Sequence, residues 1–390
     1  MARDSSPKPK VPKPEVNVPA RNMGLSGSVR KGGGYGDRGG NDLLDARGEP
    51  NPGYAAPGAV KEQLRRRRFR TPPKRRLRPP PYAELHAASS FSFLRGSSQP
   101  EDLVARAAAL GLPAVALLDR NGVSGAPRFY KAAREAGIRA LVGAEAVIDR
   151  PQASAVSRQR EERPALDDQE TRVNLLVRSR RGYRNLCRLL TAGALSHPKG
   201  EARIDWTLLE EHAAGLHCLA GAETDPVGRA LAREGLEAAG RQLERLHAVF
   251  PGRLHVELSR HGIRAEEHRN QALVRLADRL RVPVVATGGV RYAAARDKPL
   301  YDLMTAIRHH VTVDDAGARL ARERQRRLRA PEEMHRLFAD LPRAVHAAHE
   351  LTGELDFTLA DLGYRFPDYP VPQGETPISH LRELTWQGAR

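Results

Sequence analysis

The chain has 390 residues, 40% of them hydrophobic, and a formal net charge of +17. That length supports one large domain or two with an ample core, and no apolar run approaches the ~18 residues that span a bilayer. The N-terminus, MARDSSPKPKVPKPEV, lacks the apolar core of a secretory signal. The two cysteines, Cys187 and Cys218, sit in apolar segments without a CxxC neighbour, so buried thiols in a reducing cytoplasm are expected, with no membrane association.

Residues 1–81 hold 19 Lys and Arg against 7 Asp and Glu, while the other 309 hold 45 against 40. The basic excess therefore belongs mainly to the N-terminal stretch, and it does not make the remainder a nucleic-acid binder. Segments such as SSPKPKVPKPEVNVP, RKGGGYGDRGG and RRRRFRTPPKRRLRPPP keep no period of 2 or 3.6, which predicts a disordered basic extension over 1–81. Its end, with Arg65, Arg66, Arg67, Arg68, Lys74, Arg75 and Arg76, has the charge to track phosphates. The plainer reading is a solvated tail, or an upstream extension that is not translated.

From Pro81 strand-like and helix-like patterns alternate. YAELH is a strand, followed by a helix over 100–110. A strand over 114–119 precedes a helix over 126–136 that Gly137 ends, and 140–148 is a third strand. The polar stretch 149–171 reads as a flexible insertion. Strands follow over 173–177, 216–221, 254–258 and 283–287. They alternate with helices over 183–193, 227–249, 266–280 and 298–307. Seven short strands, apolar on both faces and separated by helices, predict an α/β fold with a closed parallel barrel over 82–310; an open doubly wound sheet is the alternative. No GxGxxG follows the first strand, which weakens a dinucleotide-binding reading. Residues 311–360 read as a helical segment, and YRFPDYPVPQGETP as extended chain.

In a parallel barrel, chemistry gathers at the C-terminal strand ends. Those ends carry His86, Asp119, Glu145, Gly221, Glu257 with nearby His261, and Thr287–Gly289. His, Asp and Glu converging from several strands suit a divalent-metal phosphoesterase, in which the metals activate water and clamp phosphoryl oxygens. Taken singly, each of these residues is equally a cap or turn former. His309 and His310 are adjacent and point different ways, so a loop or surface role is expected. In SRRGYRNLCRLL the basic residues around Tyr183 are able to meet phosphates, but a helix with Leu186, Leu189 and Leu190 facing the core suffices.

Several stretches in order resemble the PHP (polymerase and histidinol phosphatase) domain at the N-terminus of bacterial C-family DNA polymerases, in the error-prone, alpha-subunit-like branch. They are YAELHAASSFSFLRGSSQPEDLVARAAALGLPAVALLDRNGVSGAPRFYKAAREAGIRALVGAEAVI, VNLLVRSRRGYRNLCRLLTAG, HVELSRHG, PVVATGGVRY and RAPEEMHRLFADLP. The resemblance implies a distorted seven-stranded (βα) barrel. It also implies that 361–390 lead into a polymerase palm that is incomplete here, so that the chain is a fragment without the magnesium-binding palm acids. The implied activity of the full-length family is DNA-directed DNA synthesis, with translesion synthesis and repair. DNA is the implied substrate, and a sliding clamp and mutagenesis accessory proteins are the implied partners.

Set on the family's metal pattern, the chain keeps His86, Asp119, Glu145 and His261, the last in an uncertain register. The other positions resemble replaced ligands: Ala88, Arg95, Arg120, Arg172, Gly289 and Arg291. Arginine has no lone pair to give a metal and its charge repels one. The expectation is a degenerate site with no catalytic residue and no cofactor, in which Arg120, Arg172 and Arg291 pair with Asp119 and Glu145. An arginine-rich pocket that holds a phosphate or a DNA end without cleaving it is a lesser possibility. The alternative function is an active metal-dependent phosphoesterase or 3′–5′ exonuclease.

Overall fold

The computed structural model describes residues 80–149, 170–362 and 369–390. The expected basic extension with Arg65–Arg68 and Lys74–Arg76, most of the expected insertion, and part of the Pro-rich segment lie outside the described residues. Seven strands are present: β1 (Glu84–Ala87), β2 (Ala114–Arg120), β3 (Arg139–Ile148), β4 (Thr171–Val177), β5 (Leu216–Ala220), β6 (Leu254–Ser259) and β7 (Val284–Thr287). They form one sheet in sequential order. Val290, just past β7, bridges to Ala87 of β1. The Val290 N–H donates to the His86 carbonyl at 2.8 Å, and the Ala88 N–H to the Val290 carbonyl at 2.9 Å. The sheet is thereby a nearly closed α/β barrel, as the alternation of strands and helices predicts.

One strand departs from the expected parallel arrangement. β4 runs antiparallel to both β3 and β5, with Glu145 opposite Asn174 and Leu176 opposite His217. The remaining pairs are parallel. Apolar runs do not encode direction: Thr171–Val177 is buried throughout and fits between its neighbours either way. β4 also begins at Thr171, so the insertion expected over 149–171 ends earlier than the polar composition suggests.

The helices follow local chemistry. They are α1 (Pro100–Ala109), α2 (Ala126–Ala136), α3 (Arg180–Leu195), α4 (Trp206–His212), α5 (Pro226–Glu234), α6 (Leu236–Val249), α7 (Arg264–Leu280), α8 (Lys298–Arg308), α9 (Pro331–Leu337), α10 (Pro342–Thr352) and α11 (Pro377–Ala389). Pro stands in the first turn of α1, α2, α5 and α8–α11, where its missing N–H costs nothing. Asp205 and Asp225 cap α4 and α5 by accepting from the N–H groups of Leu208 and Gly228, each at 2.7 Å. The single long helix expected over 227–249 is two helices, because Gly235 adopts φ 91° between them. α4 and α11 have no counterpart in the sequence reading. His309 and His310 follow the end of α8, half-buried and exposed respectively. No helix among the described residues is long and apolar enough to cross a membrane.

The core packs the outer faces of the strands against the helices. Val115, Val142, Leu175, Leu216, Val256 and Val284 belong to it, with Phe129, Leu186, Leu189, Leu243 and Leu273 from the helix layer. Each such side chain contributes about 1.5–3 kcal/mol on burial. The start of α3 approaches β5 so closely that a Cβ on Gly182 would lie 1.8 Å from the Gly215 carbonyl oxygen.

Two buried histidines interrupt this core. His217 and His255 have ring centroids 5.4 Å apart. Among the described residues neither nitrogen of His217 has a hydrogen-bond partner, and nor does Nδ1 of His255. Burial first, then His255, Arg178 and Arg253, push His217 down to about 3, and burial pushes His255 down to about 4. The opposing Glu354 carboxylate stands 3.7 Å from His217 but is half exposed, which weakens its pull.

Two outcomes follow from this packing. Gly182→Ala is expected to lower the urea midpoint by an amount corresponding to about 1–3 kcal/mol, while Gly122→Ala, whose Cβ meets only an oxygen 3.8 Å away, stays near wild type. For the histidine pair, the unfolded chain binds protons below pH ~6.5 that the native fold refuses, so their contribution declines as pH falls from there. His217→Phe removes one such group. Its stability relative to wild type is therefore expected to improve by on the order of 1 kcal/mol between pH 6.5 and 5, and an unchanged difference would contradict the assignment.

Candidate functional site at the barrel mouth

Glu84 and His86 are two residues apart on β1 and so point to one side of the strand. The Glu84 carboxylate accepts from the Tyr82 hydroxyl at 2.8 Å and from the backbone N–H groups of His86 and Gly288, each at 2.9 Å. Burial lifts it to about 7 despite those bonds. It ties the start of β1 to the chain leaving β7, and so fixes the strand end that carries His86.

The His86 ring lies between two carboxylates from different strands. Nδ1 is 2.7 Å from Glu257 on β6, and Nε2 is 2.8 Å from Glu145 on β3. All three residues are at least 96% buried. Burial alone would depress the imidazole, but Glu257 and Glu145 outweigh it and raise it to about 10. The ring is thus an imidazolium that donates from both nitrogens. Glu257 also accepts from the Thr287 hydroxyl and from Asn174 Nδ2 at 3.1 Å. Its carboxyl is held below the usual range: burial resists this, and His86 overcomes it.

Glu145 is shared. Arg291 Nη2 approaches Oε1 at 2.6 Å, and Arg172 Nη1 approaches Oε2 at 3.3 Å. Burial opposes ionisation, but Arg291, His86 and Arg172 together hold the carboxyl well below its ordinary value. Arg172 reaches on to Glu170 at 3.4 Å. Glu170 stands just before β4 and is also paired with Arg95 at 3.3 Å and with Arg120, whose Nε donates at 2.9 Å. Burial and the neighbouring Arg172 push Arg95 down to about 9, against the pull of Glu170. The result is a continuous chain of alternating charge, Glu257–His86–Glu145–Arg172–Glu170–Arg120, with Arg291 and Arg95 as branches.

The structure sorts the sequence candidates. It brings His86, Glu145, Arg95, Arg120, Arg172 and Arg291 into this network. Arg172 and Arg291 pair with Glu145 as expected, but Arg120 pairs with Glu170, and Asp119 meets no arginine among the described residues. Asp119 instead accepts from the Ser89 N–H and the Ser92 hydroxyl, both at 2.8 Å, and from the Ser89 hydroxyl. Three donors on a short loop satisfy it, leaving Arg120 to the facing carboxylate at the start of β4. His261 binds elsewhere: Nδ1 lies 2.6 Å from Glu266, and Nε2 donates to the Gly288 carbonyl at 2.8 Å. Ala88 is buried and its N–H completes the β1–Val290 bridge. Gly289 takes φ +52° against the His261 ring.

Glu84, Glu170 and Glu257 are members that the ligand pattern left out. Glu257 was visible as a strand-end acid and Glu84 by its two-residue spacing from His86. Glu170 is placed by tertiary contacts that a polar stretch does not signal. The donor set does not fit a metal. Both His86 nitrogens point their protons at carboxylates, and the oxygens of Glu145 face guanidiniums. Among the described residues no group of three or more His, Cys, Asp and Glu is arranged to hold a metal ion.

Residues 84–261 match the PHP domain family. The chain is 41% identical over 343 residues to an error-prone DNA polymerase of Mycobacterium bovis, an alignment covering 87% of this chain and 31% of that protein. An error-prone DNA polymerase of Mycolicibacterium paratuberculosis is 43% identical, covering 80% of this chain and 28% of that protein. One of Caulobacter vibrioides is 34% identical, covering 80% and 26%. The chain thus spans less than a third of the length of these curated relatives. Over residues 84–261 it matches the PHP domain and, over most of its length, it is similar to bacterial error-prone DNA polymerases.

Proposed function

We propose that this chain supplies the PHP region of an error-prone DNA polymerase and that its barrel is a structural, non-hydrolytic unit. The observation that carries the second half is the doubly clamped His86. A phosphoesterase barrel needs the free lone pairs of its histidines and carboxylates for metals that activate water. Here His86 spends both ring N–H groups on Glu145 and Glu257, Arg291 shares the Glu145 oxygen that His86 contacts, and Arg172 takes the other. The ion pairs fill the position where metal ions would bring the strand ends together, and they hold the same ends with internal charge.

The first half rests on similarity at 41% identity over most of the chain. In this reading DNA is the substrate of the complete protein, in translesion synthesis and repair in the cytoplasm. Magnesium serves a palm domain rather than this barrel, and the sliding clamp and mutagenesis accessory proteins are its partners. The barrel contributes a rigid body for those contacts. Buried ion networks suit this role, because they fix geometry more surely than they add net stability.

Two measurements test the non-hydrolytic reading. Equilibrium dialysis against manganese and zinc is expected to find no binding at micromolar free metal. Two or three ions per chain, or manganese-dependent release of nucleotides from a DNA 3′ end that His86→Ala abolishes, would establish the phosphoesterase instead. Glu145→Gln tests the network directly. It strips His86, Arg172 and Arg291 of their shared anion and is expected to cost about 3–5 kcal/mol in metal-free buffer. A metal site without its metal would instead gain from losing one of its repelling carboxylates.

A further inference from the structure

α3 presents two contrasting faces. Leu186 and Leu189 are fully buried against the barrel, whereas Arg180, Arg181, Arg184 and Arg188 are exposed. Arg180, Arg184 and Arg188 stand four residues apart, one row with a guanidinium about every 6 Å. The helix, RRGYRNLCRLLTAGAL, contains no carboxylate of its own. Among the described residues Arg180 donates to the Leu362 carbonyl oxygen at 2.9 Å, and no ion pair joins any of the four to an acid.

Beside this row lies a groove of about 870 Å³, closed at its edges by His212 of α4 and by Leu362. Its floor is apolar, built from Tyr183, Cys187 and Leu195. Leu195, at the end of α3, is 82% exposed and so leaves this part of the lining accessible. Tyr183 stacks on Phe357 with centroids 4.6 Å apart, which fixes the floor and occupies one face of its ring.

We propose that this groove docks an acidic, amphipathic helical segment of a partner protein. The apolar floor accepts leucine-type side chains recurring at three and four residues, and carboxylates one turn apart meet the arginine row. The arginines set orientation and speed the encounter, while the floor contributes most of the affinity. A nucleic-acid strand would use the arginines but leave the apolar floor unfilled, and stacking of bases needs an open aromatic face that Tyr183 shares with Phe357. The proposal is independent of the polymerase reading, since it rests on α3 and the residues that edge its groove.

The probe is a fluorescein-labelled peptide of roughly four helical turns, with Leu on one face and Glu on the others. A matching peptide with Lys for Glu and an oligo-dT strand are run beside it on the full chain. The acidic peptide is expected to bind with micromolar Kd and to slow alkylation of Cys187, Cys218 being buried and silent. Arg184→Glu/Arg188→Glu is expected to weaken it about tenfold or more, and Leu195→Asp to weaken it with the arginine row intact. Both variants change exposed positions, and unchanged melting temperatures show that they fold. No binding of the acidic peptide, or equal binding by wild type and variants, overturns the proposal. Tighter binding of oligo-dT than of the peptide, lost in the charge-reversal variant, also overturns it and assigns the groove to nucleic acid.

Discussion

The barrel mouth depends on the bridge that His86 makes between Glu145 and Glu257. These acids belong to β3 and β6, strands that are not neighbours in the sheet, so one imidazolium ties together three distant strand ends. Desolvation penalises every charge in this set, and only mutual pairing keeps them ionised. The direction of each shift reflects this: His86 is raised to about 10, while Glu145 and Glu257 are held down. Glu145 and Glu170 are each matched by two or more cations, and the pairing is passed outward through Arg172 to Glu170, where the buried network meets the less buried rim.

This arrangement also explains why arginine suits positions 95, 120, 172 and 291. A guanidinium remains charged under burial that would neutralise a lysine, and its planar fork reaches two carboxylates at once. Arg172 does this between Glu145 and Glu170. Arg95 shows the limit of the strategy: surrounded by Arg172, Arg120 and Arg308, it is pushed down to about 9 and depends on Glu170. Such a network is expensive to break and gives little net stability when intact. Its value lies in specifying one arrangement of the strand ends.

Much of the fold was legible in the sequence, for particular reasons. Gly137 ending α2 and short apolar strands alternating with helical patterns placed most elements correctly. The reversal of β4 was not legible, because Thr171–Val177 is buried throughout and apolar patterning carries no direction. The break at Gly235 was missed because the apolar residues on either side continue one helical period. At the site, the residue types pointed to arginines among the acids at the strand ends, and the structure places Arg95, Arg120, Arg172 and Arg291 there. The partners were harder to assign: Asp119 turned to Ser89 and Ser92, 30 and 27 residues earlier in the chain, rather than to Arg120, and Glu170 entered from a polar stretch. Which acid meets which arginine is decided by the register of β3 against β4, which spacing alone does not encode.

The central claim, that internal ion pairs hold the barrel mouth in the place of metal ions, is tested most directly by anomalous diffraction from crystals grown in millimolar manganese. The expected result is no anomalous peak between His86 and Glu145, with the Arg172 and Arg291 guanidiniums still within hydrogen-bond distance of the Glu145 carboxylate. A manganese peak within coordination distance of His86 and Glu145, with the guanidiniums swung away, would contradict it.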